Sequence, residues 1–229
     1  MYNPDGGYYL IDKPNKWTSF DVVNKVRHLI RHKVGQKVKV GHAGTLDPLA
    51  SGLLIVCYGK MTKSIHTFQD MTKEYTGIIQ LGSTTPSFDL ETDIDHTFST
   101  DHINVEMIKA QSEKMLGLQQ QLPPMYSAKR IEGIRAYHLA RKGETKELKT
   151  SEVEVFDFNV EMGTNDQVLF RIKCSKGTYI RSLVHEMGKE LNSGAHLISL
   201  RRTAIGEYKV KDAFNIDLFE KQFREFVIE

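Results

Sequence analysis

Only two cysteines, Cys57 and Cys174, occur in the 229 residues. They sit in separate apolar runs, LLIVCYG and LFRIKCS. That is neither a disulfide framework nor a zinc-ligand spacing, so two buried, reduced thiols are expected. Long apolar runs are missing too; none approaches the ~18 residues of a membrane span. The amino-terminal stretch MYNPDGGYYLIDKP lacks a basic start followed by an apolar core. No secretory leader is therefore expected, and the expected location is the cytoplasm. Internal repeats and low-complexity linkers are absent. What is present is 40% hydrophobic content, enough to bury a core in one large domain or two small ones.

Three familiar site patterns fail at required positions. Gly59-Lys60 is followed by Met61, where a phosphate loop needs Ser or Thr. His185-Glu186 begins like a zinc-protease helix, but position 189 is Lys. Asp89, Glu91, Asp93 and Asp95 imitate a calcium loop, yet Ile94 replaces the required glycine and Thr100 the bidentate Glu. The segment from Thr84 to Asp101 therefore reads as a solvated acidic loop, and no metal site is expected.

A net charge of +2 conceals an alternation. Residues 1–64 carry ten basic against four acidic side chains, and residues 65–125 three against nine. Residues 126–149 and 171–202 are again basic, seven against three and seven against two. Residues 150–170 hold five acids and no base, and 203–229 are mildly acidic. Basic blocks that converge in space make a polyanion-binding face; blocks that do not are ordinary solvated surface.

Periodicity divides the chain into mixed elements. Tyr8–Asp12, Gln36–Val40, Leu53–Tyr58 and Glu74–Leu81 read as strands, with Leu53–Tyr58 fully buried. Val153–Val160 and Val168–Cys174 flank a turn at Gly163–Asp166 and read as a hairpin. Ala195–Ile205 is a further strand. Thr18 and Ser19 can cap a helix running to Arg31, with Asp21 completing a weak capping box and Phe20, Val23, Val26 and Ile30 as its apolar positions. Further helices are expected over Met61–Phe68, Val105–Met115, Arg135–Lys142, Tyr179–Leu191 and Leu218–Phe226. Strict βαβ alternation is absent, which favours a mixed α+β sheet over a doubly wound one.

The segment GHAGTLDPLASG, residues 41–52, brackets one His and one Asp with three glycines and a proline. Pro48 biases Asp47 towards extended backbone. A carboxylate on a stiff loop at a strand end is a platform for chemistry, or equally a structural Asx-type turn. In CSKGTYIRSL, residues 174–183, a strand ends, a glycine turns the chain and a helix begins. Its first N–H groups can face an anion, or Arg181 can serve an ordinary surface pair.

Together with LIDKPNKWTS, KEYTGIIQLG, PPMYSAKR and GAHLISLRRTAIG, these segments resemble the TruB-type family, the bacterial tRNA pseudouridine-55 synthases. The matches lie in the family's order across most of residues 8–206. The resemblance implies a mixed α+β catalytic fold around a largely antiparallel sheet flanked by helices. It implies an isomerase that converts uridine 55 of the tRNA T-loop to pseudouridine by base flipping. Asp47 is then the nucleophile, His42 a substrate contact and Tyr75 the ring that stacks on the uracil. Tyr179 and Arg181 match pocket positions, where the arginine pairs with the aspartate, and Leu200 is an apolar substrate contact. The implied partner is the T-arm of tRNA, with no membrane and no obligate protein partner. Many members continue into a PUA-type RNA-binding domain; the chain stops at Glu229, and a single catalytic domain over 1–229 without that appendage is expected.

The implied reaction detaches uracil from ribose C1′ and rejoins it through C5. Bonds and charge balance, so no cofactor is expected. A glycosidase-like hydrolase would need a second carboxylate roughly 5–9.5 Å from the first, and neither main motif offers one. A non-catalytic RNA-folding module would share the charge blocks without needing Asp47.

Overall fold

The computed structural model describes residues 2–226 apart from 128, 132, 145 and 147. It forms two compact units, one of residues up to Tyr75 and from Leu200 onward, the other Thr76–Ser199. In chain order the main elements begin with β1 (Gly6–Lys13), α1 (Ser19–Val34), β2 (Val40–His42), β3 (Ala50–Gly59), α2 (Ile65–Asp70) and β4 (Lys73–Leu81). They continue as α3 (Val105–Lys114), β5 (Gly117–Gln121), α4 (Ala136–Ala140), β6 (Ser151–Met162), β7 (Gln167–Cys174) and α5 (Ile180–Glu190). Last come β8 (Ala195–Ile205), β9 (Tyr208–Lys209), β10 (Phe214–Asn215) and α6 (Ile216–Glu225). The fold class is α+β, with largely antiparallel pairing. Among the described residues no helix is long and apolar enough to cross a membrane.

In the first unit β10, β1, β3 and β8 hydrogen-bond in that order, with β2 added to β3 and β9 to β8. β1 and β3 run antiparallel from Gly6↔Gly59 to Lys13↔Gly52. Both faces of β3 are covered, which is why its sequence is a continuous apolar run rather than an alternating one. Leu54, Val56 and Tyr58 pack with Val22, Val23, Val26, Leu29 and Ile30 of α1 and with Ile216, Phe219 and Phe223 of α6. Leu53, Ile55 and Cys57 pack on the other side with Ala43, Phe68 and Ile205. Both cysteines are buried and free, and burial pushes the Cys57 thiol up to about 11.

α1 starts at the expected cap. The Thr18 side chain accepts from the Asp21 N–H, and the Asp21 carboxylate accepts from the Thr18 N–H, a complete capping box. Its apolar face differs from expectation at one end: Phe20 is 60% exposed. An α-helix rotates about 100° per residue, and with Val22, Val23, Val26, Leu29 and Ile30 inward, position 20 faces solvent. Residues 36–39 are not strand; only Val40–His42 pairs with β3. The short β5, β9 and β10 lack a period long enough to read, and only the pairing partner makes them strands.

In the second unit β4, β7, β6 and β5 hydrogen-bond in that order. The β6–β7 hairpin turns where expected, with Asn165 and Asp166 both at positive φ, the handedness that suits a twisted hairpin. The helix expected over Arg135–Lys142 is shorter, Ala136–Ala140. Gly77 of β4 lies so close to the backbone of Ser199 that a Cβ would be 2.2 Å from the Ser199 carbonyl oxygen.

Candidate active site

Asp47 sits half-buried on the loop between β2 and β3. The loop is held at almost every residue. The Ala43 N–H donates to the Ile55 carbonyl at 2.9 Å, and the Ala50 N–H donates to the carbonyl of Asp47 itself at 3.1 Å. Ser19, the first residue of α1, both donates its hydroxyl to the Leu46 carbonyl at 3.1 Å and accepts from the Leu46 N–H at 2.8 Å. The Lys16 N–H donates to the Pro48 carbonyl at 2.8 Å. A carboxylate bracketed by anchored neighbours on both sides has a defined direction, which is what positioned chemistry needs.

Two buried cations complete the support. Lys13 has no exposed surface. Its ammonium donates to the carbonyls of Trp17 at 2.6 Å, Pro14 at 3.0 Å and Pro48 at 3.4 Å. Burial lowers its pKa to about 8, against the opposing pull of the Asp47 charge. Arg202, 1% exposed, donates Nε to the Leu53 carbonyl at 2.8 Å, one Nη to Gly44 at 3.1 Å and the other to Thr45 at 3.4 Å. Neither residue was singled out from the sequence. A signal was there: Tyr9, Ile11 and Lys13 alternate on one face of β1, so the lysine had to point where its apolar neighbours point.

His42 ends β2, and its Nδ1 is buried without a hydrogen-bond partner among the described residues. Burial first, then the Arg202 charge, lowers its pKa, which disfavours the charged ring. Leu200 pairs with Ala50 across the parallel β8–β3 ladder, three residues after Asp47. Tyr75 lies on β4, 9% exposed. Asp47, His42, Tyr75 and Leu200 belong to the first unit, and Tyr179 and Arg181 belong to the second.

Tyr179 is the N-cap of α5. Its N–H donates to Gln121 Oε1 at 2.7 Å, and Gln121 Nε2 donates back to the Tyr179 carbonyl at 3.1 Å. Arg181 is 3% exposed. It donates to the carbonyls of Ser87 at 3.0 Å and Tyr126 at 2.8 Å, and its Nε lies 3.6 Å from Asp89 Oδ2. This corrects the reading of Thr84–Asp101 as wholly solvated: Thr85, Ser87 and Asp89 are buried. A buried guanidinium needs an anion and several acceptors, and this loop supplies both. A one-residue acid signal among four acids could not say which turns inward.

The model for the TruB family pseudouridylate synthase N-terminal domain matches residues 31–180, well over half the chain. The chain belongs to the TruB family. The tRNA pseudouridylate synthase B C-terminal domain matches residues 181–225. A tRNA pseudouridine synthase B of Flavobacterium johnsoniae is 50% identical over 96% of this chain and 97% of its own. One from Phocaeicola vulgatus is 48% identical, covering 98% and 96%. Among solved structures, a chain of a Cbf5-Nop10-Gar1 complex is 25% identical with a TM-score of 0.70 over 98% of this TruB-family chain. A chain of an H/ACA RNP bound to a substrate RNA containing 2′-deoxyuridine gives a TM-score of 0.68 at 24% identity, which shows a shared fold. This chain spans 57% and 63% of those two.

Proposed function

We propose that this protein isomerises uridine 55 in the T-loop of tRNA to pseudouridine, with Asp47 as the nucleophile and without a cofactor. Its relatives' names support pseudouridine formation in tRNA, and the family supports the reaction class. The observation that carries Asp47 is the anchored loop: both neighbouring residues are hydrogen-bonded, and two buried cations support the backbone on either side. Glycosidic cleavage is helped by an ionised carboxylate aimed at the sugar or base, and loop anchoring supplies the aim.

In the reaction the N1–C1′ bond breaks and a C5–C1′ bond forms. N1 gains a proton and C5 loses one, so atoms, charge and electrons balance within the nucleotide. Extruding the base costs a few kcal/mol. Stacking on Tyr75 offsets about 1–3 kcal/mol of that. His42 Nδ1, without a hydrogen-bond partner among the described residues, is a polar atom available to a substrate group. Tyr179, Arg181 and Leu200 bind the substrate, Arg181 as a cation fixed by Asp89.

The test is Asp47→Asn. Pseudouridine formation is abolished while tRNA affinity stays within about tenfold, because only an interaction of the chemical step is removed. Normal turnover by the Asn variant would sink the assignment. Release of an abasic ribose by the parent protein would replace isomerisation with hydrolysis.

A further inference from the structure

We infer that Phe20, Arg27 and Arg31 on the exposed face of α1 form an RNA-binding stripe for nucleotides flanking the target uridine, an inference that rests on the proposed function. The stripe begins beside the candidate site. Ser19, which grips Leu46 through two hydrogen bonds, is the residue before Phe20. Positions 20, 24, 27 and 31 follow helical spacing and share one face of α1.

A single exposed apolar residue needs no explanation, so the argument rests on what surrounds Phe20. The guanidinium of Arg27 lies over its ring, 5.8 Å from the centroid. That guanidinium is oriented by neutral oxygens: one Nη donates to Asn24 Oδ1 at 2.6 Å and the other to the Val40 carbonyl at 3.4 Å. Neither Arg27 nor Arg31 has a carboxylate partner among the described residues. From Val22 to Leu46 the chain has six Lys and Arg and no Asp or Glu. Asp21, the acid that precedes this stretch in sequence, is committed to the helix cap through Oδ2.

Neutralising the helix dipole accounts for cations in the last turn of α1, and Arg31 lies there. It does not account for Arg27, which is mid-helix, or for a phenylalanine kept in water beside it. An aromatic ring with a fixed arginine is the combination that stacks unpaired bases, and carboxylate-free guanidinium groups suit phosphodiester oxygens. The partner is therefore RNA: a base on Phe20 and phosphates on Arg27 and Arg31.

The experiment measures Kd and KM for unmodified tRNA over a salt series, with melting temperature as a control. Phe20→Ala weakens binding and raises KM by roughly tenfold, within the range of one lost base stack. Its salt dependence and melting temperature match the parent, since the ring is uncharged and exposed. Phe20→Trp restores binding. Arg27→Gln and Arg31→Gln each flatten the slope of log Kd against log salt by about one. If Phe20→Ala binds as tightly as the parent, or loses thermal stability without rescue by Trp, the stripe is overturned. The Asp47→Asn assay is scored on product formation, so a failure of the proposed chemistry is separately visible.

Discussion

Tyr75 and Lys13 show how one side chain's surroundings limit its work. A free phenol titrates near 10, so Tyr75 is a weak base on its own. Its ring and its oxygen are separable: Tyr75→Phe keeps the ring and deletes the oxygen. The Phe variant is expected to bind tRNA almost normally and to cleave the glycosidic bond, yet to lose the C5 hydrogen slowly. Substrate tritiated at uracil C5 reads that step, and parent-like tritium release would leave Tyr75 as a stacking platform only. Lys13 gives a pH signature instead. Its folded pKa is lowered to about 8, below that of an unfolded lysine. Between those values the unfolded chain binds more protons than the native one, so this contribution stabilises increasingly as pH rises and is lost as pH falls through 8. Lys13→Met removes it. The stability difference, parent minus variant, should grow by up to about 1.4 kcal/mol between pH 8 and 9. Urea unfolding at pH 7, 8 and 9 measures it; a difference flat across that range would refute the shift. The high-pH titration of Cys57 is common to both proteins and cancels.

At the scale of elements, the Asp47 loop depends on close approach between β3 and β8, and Arg181 depends on the inward loop that follows β4. Gly52 opens the apolar part of β3 with φ +108°, and a Cβ there would meet the Arg202 carbonyl oxygen at 2.3 Å and its nitrogen at 2.7 Å. Both are backbone atoms and cannot swing aside. Gly52→Ala should cost well over about 1 kcal/mol, the effect of removing glycine flexibility in the unfolded chain being outweighed by strain. Chemical denaturation tests this, and an unchanged midpoint would mean the ladder shifts freely. The acidic loop makes a different demand. Asp89 and Arg181 are 10% and 4% exposed in their side chains. Asp89→Ala removes a carboxylate from beside a buried guanidinium and should cost up to about 3–5 kcal/mol. A variant as stable as the parent would show that Asp89 contributes nothing to holding Arg181.

For the whole molecule, the proposed substrate is a polyanion, and the basic blocks at 1–64, 126–149 and 171–202 give its binding a salt dependence. Each neutralised phosphate contributes about −0.7 to −0.9 to the slope of log affinity against log salt. A slope near zero for tRNA would mean that the net charge pattern is ordinary surface. The reaction's internal balance predicts a second result: with pre-folded tRNA, activity survives exhaustive chelation. A strict requirement for a protein-bound metal would contradict the proposed chemistry.

Much of this was legible without coordinates, and for local reasons. The capping box at Thr18 and Asp21, the buried run of β3 and the β6–β7 turn each depend on neighbours within a few residues, so periodicity and turn chemistry determine them. The specific segments around Asp47 and Arg181 likewise carried the family. What pairing and packing alone decided is long-range. β5, β9 and β10 are strands because a partner strand satisfies their backbone groups. Asp89 turns inward because a guanidinium 92 positions away in the chain is buried opposite it. Lys13 and Arg202 became supports of the Asp47 loop because strand pairing sends them beneath it, where their buried cationic groups meet the loop's backbone carbonyls.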